Sequence, residues 1–284
     1  MLKGILSLIL INIIDSYINH KLKNSHDKYF KYITLKRYLS FIIFPLLILE
    51  GLYINKKIPR LGVPADETKG LIKNSNSENP SENKLFKILY IGESTIAGVG
   101  LNSHQEGLSR QTALKLVQRK DFKGIDIEYD SIGQNGANIK YLLEKILPRF
   151  DAKNFDTVII AIGVNDIIEQ TNLKTLKKQL LEVIQKIKQQ NNDIKIHISS
   201  PPPMDKFKAL PQPLRSFLGY RAIQISHIYR SISKQQENVF YSLAEFEYDR
   251  KFFAPDHFHP SSHGNFQWAE IMAQSIEPVI IHKD

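Results

Sequence analysis

The sequence predicts a three-layer α/β/α domain on a parallel five-stranded sheet, preceded by an N-terminal helical segment that associates with a membrane. Three observations predict it. Beyond residue 85, short apolar runs alternate with stretches of helical period, the pattern of a parallel sheet covered on both faces. Of the 284 residues, 42% are apolar, enough to bury a core of that kind. The first 63 residues hold two apolar runs and most of the net charge.

Within the domain, residues 86–91 read as the first strand, with Gly92 after it. Residues 105–119 have helical character. Residues 125–132 alternate apolar and polar and form the second strand. Residues 138–148 can be helical, stopped near Pro148. Residues 157–162 are a buried third strand. Leu173, Leu176, Leu180, Val183, Ile184 and Ile187 make one helix face over 172–190. Residues 194–198 are the fourth strand. A proline-rich loop leads to a helix over 214–236. Residues 239–241 are the fifth strand, and the last helix runs from near Ser261 to about Ile276. Trp268, the sole tryptophan, reads as a core residue of that helix.

Ahead of the domain, one apolar run covers residues 1–14, broken by Lys3 and Asn12, and another covers 38–54, interrupted by Pro45 and Glu50. Neither cleanly supplies the roughly 20 residues of a spanning helix. The first has the early lysine of a signal peptide but lacks a small-residue cleavage site, so it is expected to be retained. Residues 1–60 carry ten Lys and Arg against three acids, a net +7 of the chain's +9. A nucleic-acid binder would carry its basic stripe on the folded domain. Charge beside apolar runs fits an anionic membrane surface instead. Lys36 and Arg37 precede the second run, and Lys56, Lys57 and Arg60 follow it. Such flanks give no positive-inside asymmetry. Sidedness stays open, with the anionic cytoplasmic leaflet the better match. They suit a helix lying in the interface; the alternative is a pair of helices packed on the domain. Residues 73–84 are uniformly polar and read as linker. The expected division is therefore 1–63, a linker over 64–84, and the domain over 85–284. The absence of cysteine excludes disulfides and thiolate zinc sites.

In parallel sheets ligands bind beyond the carboxyl ends of the strands. There the sequence places Gly92-Glu93-Ser94-Thr95, Gly133 to Gly136, Gly163-Val164-Asn165-Asp166 and, in the last loop, Asp256-His257-Phe258-His259. A serine hydroxyl needs a base to take its proton. That base needs a partner to fix its tautomer. Asp256 and His259, three residues apart, can supply both. Acyl transfer also creates an oxyanion, for which the N–H of Ser94, the N–H of Gly136 and the amide of Asn165 are candidate donors. His257, His259 and His263 with Asp256 could instead hold zinc, which leaves Ser94 and Asn165 without a role. Met204, Phe207, Leu210 and Leu214, in the proline-rich loop and at the start of the helix after it, either line an acyl pocket or belong to a stiff connector.

These four blocks, in this order over about residues 85–280, resemble the SGNH-type, or GDSL-type, serine hydrolases. The resemblance implies a flavodoxin-like α/β/α fold and hydrolysis of esters or thioesters without metal or organic cofactor. It makes Ser94 the nucleophile and first oxyanion donor, Gly136 and Asn165 the other donors, and Asp256 and His259 the rest of a catalytic triad. One departure stands out: the family has Asp before the serine, whereas Glu93 is one methylene longer. The expected function is a membrane-associated esterase or lipase-like hydrolase working through an acyl-enzyme on Ser94. Its expected partners are a small acyl ester or lipid and a membrane surface, not nucleic acid. An acyltransferase and a catalytically silent, membrane-tethered binding module are the alternatives.

Overall fold

The computed structural model describes residues 26–75 and 80–278. The apolar run over 1–14, with its expected retention, lies outside them. The sheet has six strands: β1 (Gly70–Ile72), β2 (Lys84–Gly92), β3 (Ile125–Gly133), β4 (Thr157–Ala161), β5 (Lys195–Ser199) and β6 (Val239–Ser242), in the order β1-β3-β2-β4-β5-β6. β2 to β6 are the five expected parallel strands. β1 corrects the expected count. It is a short antiparallel edge strand on β3, and it lies inside the stretch read as linker. The chain after it stays anchored: Asn74 is buried and donates from Nδ2 to the Phe122 carbonyl at 2.8 Å.

Side-chain alternation along the strands builds two cores. Leu89, Ile91, Val158, Ile160, Ile196 and Ile198 face one layer, whereas Ile88, Tyr90, Ile159 and Ala161 face the other. The helices are α1 (His26–Leu39), α2 (Phe44–Lys57), α3 (Leu108–Leu116), α4 (Ile139–Tyr141), α5 (Val164–Ile168), α6 (Leu173–Gln190), α7 (Leu214–Ser233) and α8 (Ser262–Ser275). α3 and α8 cover the second core, with Trp268 buried there and donating from Nε1 to Ser199 Oγ at 3.1 Å. α6 and α7 cover the first. Asn172 caps α6 by accepting from Lys174 N, and Ser261 caps α8 by accepting from Gly264 N at 3.1 Å. α4 departs from the expected helix over 138–148: its continuation over 142–149 is irregularly wound, with Pro148 in its last turn.

A single four-residue 3₁₀ turn, Ser40–Ile43, joins α1 to α2. Together they form one helix, Lys28–Lys57, long and apolar enough to cross a membrane. One side of it packs on the domain. Ile33, Leu47 and Ile54 are buried there, Phe30 stacks on His227 and Phe41 packs edge-on to Phe217. Glu50, which in sequence merely interrupts the apolar run, accepts the Leu214 N–H at 2.9 Å. It thereby satisfies an orphan donor at the start of α7. The other side is exposed and apolar, with Ile42 80%, Leu49 64% and Leu52 57% accessible.

Candidate active site

Strand register sets the site. Gly92 lies beside both Gly133 and Ala161, Ala161 beside Ser199, and Ser199 beside Ser242. Five strands thus end level, and their loops leave along one edge. A Cβ at Gly133 would fall 2.1 Å from the Ala97 nitrogen. Glycine is what lets the end of β3 pack under the loop that carries Ser94. Gly136 sits at φ +80°, a left-handed conformation with open space where a side chain would go.

The last loop is a tight turn. Phe253 and Pro260 bridge antiparallel, Ala254 donates to the His259 carbonyl at 2.8 Å, and His257 takes a left-handed φ of 56°. The turn presents His259 to the cavity and buries Asp256. Asp256 Oδ2 lies 2.6 Å from His259 Nδ1, and Oδ1 accepts from the N–H groups of Phe258 (2.9 Å) and His259 (3.0 Å). Burial pushes the Asp256 carboxyl up, but these hydrogen bonds outweigh it and hold the group below its ordinary value. With Asp256 ionised, Oδ2 accepts the His259 Nδ1 proton, which leaves the ring lone pair on Nε2. His257 and His263 are exposed and stand apart from this pair.

Ser94, Asn135, Gly136, Asn165, Phe258 and His259 all open onto one cavity of about 730 Å³. Ser94 Oγ and His259 both border the cavity without a hydrogen bond between them; such catalytic contacts commonly tighten only in the substrate complex. The N–H groups of Ser94 and Gly136 have no partner among the described residues. Asn165 differs. Its Nδ2 donates to Glu93 Oε2 at 2.6 Å and to the Ala137 carbonyl at 2.8 Å. Of the expected pocket residues, Leu210 and Leu214 line the cavity, whereas Met204 and Phe207 are packed into the core beneath it. The opposite wall is α2, through Phe44, Leu47, Ile48, Gly51, Ile54 and Asn55, followed by Arg60. These residues escape sequence reading because α2 is apolar around most of its circumference, so no single stripe marks the face turned to the site.

Glu93 explains its own extra methylene. Its carboxylate reaches across to the start of α5, where it accepts from Val164 N at 3.0 Å, Asn165 N at 3.2 Å and the Asn165 amide. It ties the Ser94 loop to the Asn165 loop. Burial pushes Glu93 up to about 8, against the hydrogen bonds from Val164 and Asn165. Burial also pushes Asp166 up to about 6, against hydrogen bonds from Thr171 and Ile139. Both acids therefore hold a proton in the folded state at pH values where the unfolded chain has lost it. Stability should fall as pH rises from the ordinary carboxylate range to about 8. Thermal unfolding measured between about pH 4 and pH 9 is expected to show that decline. Asp166→Asn should flatten its part below about pH 6, and an unchanged slope in that variant would remove Asp166 from the account.

A family model, the GDSL-like lipase/acylhydrolase family, matches residues 90–265. No curated protein matches the sequence. Among solved structures, a family 3 carbohydrate esterase from Clostridium thermocellum is 21% identical. It covers 68% of this chain and 95% of its own, at a TM-score of 0.53. A lipolytic protein of the G-D-S-L family from Desulfitobacterium hafniense is 17% identical over 67% of this chain and 99% of its own, at 0.52. An extracellular lipase from Streptomyces rimosus is 16% identical over 67% of this chain and all of its own, at 0.50. These likenesses show a shared fold. The family model takes in well over half the chain and contains all four sequence blocks, so this chain belongs to the GDSL-like lipase/acylhydrolase family.

Proposed function

We propose that this member of a family of ester-cleaving hydrolases is a membrane-associated serine esterase of lipase type. It cleaves carboxylic esters, or thioesters, through an acyl-enzyme on Ser94. The observation that carries the reading is the 2.6 Å contact of buried Asp256 with His259, which lines the same cavity as Ser94. His259 Nε2 takes the Ser94 proton as Oγ attacks the ester carbonyl, and the imidazolium formed is stabilised by Asp256. The proton then passes to the leaving alkoxide. The free N–H groups of Ser94 and Gly136 receive the negative oxygen. In the second half, His259 activates water and the acid is released.

Asn165 is the third donor in this scheme, on the condition that its amide exchanges the Ala137 carbonyl for the oxyanion. Asn165→Ala should then lower kcat about 10²–10³-fold on a p-nitrophenyl ester. A wild-type rate would leave the amide only the task of holding Glu93. Product analysis with glycerol present decides between hydrolysis and transfer. Free acid as the dominant product supports the esterase, and glycerol ester as the dominant product supports an acyltransferase. Membrane association rests on the apolar helix Lys28–Lys57 and its exposed face.

A further inference from the structure

We propose that α2 is a bilayer-embedded wall of an acyl-chain channel, so that the substrate is a long-chain lipid ester drawn from the membrane, with Gly51 setting the length of chain accepted. The inference rests on the esterase reading above and adds its substrate class.

Two faces of one helix carry it. Leu47, Gly51, Ile54 and Ile58 recur at three- and four-residue spacing and turn toward the cavity. Leu49, Leu52 and Tyr53 point away from it and are more than half exposed. Apolar side chains facing water over a whole helix face mark a membrane or partner contact. Here the exposed bases Lys28 and Lys31 at one end and Lys56, Lys57 and Arg60 at the other favour anionic lipid over a protein. The cavity-facing stripe has a direction. Its Ile58 end continues into a segment tied to the nucleophile's own loop, through Gly100 N to the Gly62 carbonyl at 3.0 Å. Its other end is Phe44, beside Phe41 and Phe217, where the helix meets the exposed Ile42. Between Phe44 and Ile54 lie about 15 Å of helix, lined almost wholly by apolar groups. That length suits an extended alkyl chain and is wasted on an acetyl group. Apart from His259, Arg60 is the one ionisable side chain in the lining among the described residues. It sits at the Ser94 end, where a polar or anionic headgroup would emerge.

Gly51 is the open point that can be tested. It lines the channel midway along α2, and a Cβ there would meet nothing within 4 Å. A larger side chain at this position enters the cavity, and helix propensity improves.

The test uses the full chain, wild type and Gly51→Phe, on p-nitrophenyl butyrate and p-nitrophenyl palmitate. Wild type should turn over both, and Gly51→Phe should lower the ratio of palmitate to butyrate turnover at least about tenfold. Equal loss on both, or no change in the ratio, overturns the channel. A second variant, Leu49→Glu with Leu52→Glu, changes the outer face only. It should reduce co-sedimentation with vesicles of phosphatidylglycerol and phosphatidylcholine, leaving butyrate hydrolysis intact. Undiminished co-sedimentation overturns the embedding. Failure of the wild type on every ester would sink the esterase reading itself, a result distinct from either of these.

Discussion

Alanine at position 94 is expected to abolish ester hydrolysis, with kcat falling on the order of 10⁴- to 10⁶-fold. The size follows from what is removed. Without Oγ there is no acyl-enzyme, and water must attack the bound ester directly with only the backbone donors to help. The fold should survive, because the Ser94 hydroxyl makes no hydrogen bond among the described residues and the residue lines the cavity. Burst kinetics and steady-state rates on a p-nitrophenyl ester, with thermal unfolding as the control, read the effect. Residual turnover above about a tenth of wild type would place the nucleophile elsewhere.

Asp256→Asn is expected to cost almost as much, about 10⁴-fold in kcat, and for a subtler reason. The asparagine oxygen can keep both backbone hydrogen bonds from Phe258 and His259 that Asp256 Oδ1 accepts. The turn therefore holds its shape. The new NH₂ group, however, faces His259 Nδ1, which must become an acceptor. The imidazole proton moves to Nε2, the atom that has to take the Ser94 proton, and the base is lost without losing the structure. Rates should collapse while the unfolding midpoint moves little. A loss of less than about tenfold would mean that Asp256 only shapes the loop.

Much of this was legible in the sequence, and the gaps have physical reasons. Strands such as Thr157–Ala161, buried on both faces, are apolar after the opening threonine and read plainly as strands. The helix face of Leu176, Leu180, Val183, Ile184 and Ile187 is equally plain. β1 was invisible because three residues, Gly70–Ile72, show no period, and their strand exists only through pairing with β3. Asn74 read as linker because its polarity is local, whereas its burial depends on Phe122 and Asp126, some fifty residues away. Met204 and Phe207 were candidates, with Leu210 and Leu214, for either a pocket wall or a stiff connector. All four are apolar and close in sequence, and nothing local separates a residue under the cavity from one in its wall. Glu93 shows the same limit from the other side. Its departure from the family's Asp was visible, but its three partners on the Asn165 loop were not. The largest gap is α2. Its apolar character suggested a membrane, yet the closure of the active-site cavity by its inner face is a tertiary fact.

The most direct test of the central claim is covalent. A fluorophosphonate mimics the tetrahedral intermediate and is captured only by a serine with a working base and oxyanion site. Intact mass followed by peptide mapping of the treated full-length chain should find one phosphonyl adduct, on Ser94. The adduct should be absent in Ser94→Ala and slow to form in Asp256→Asn. An adduct on another serine, or an unlabelled Ser94 in protein that hydrolyses esters, would contradict the account.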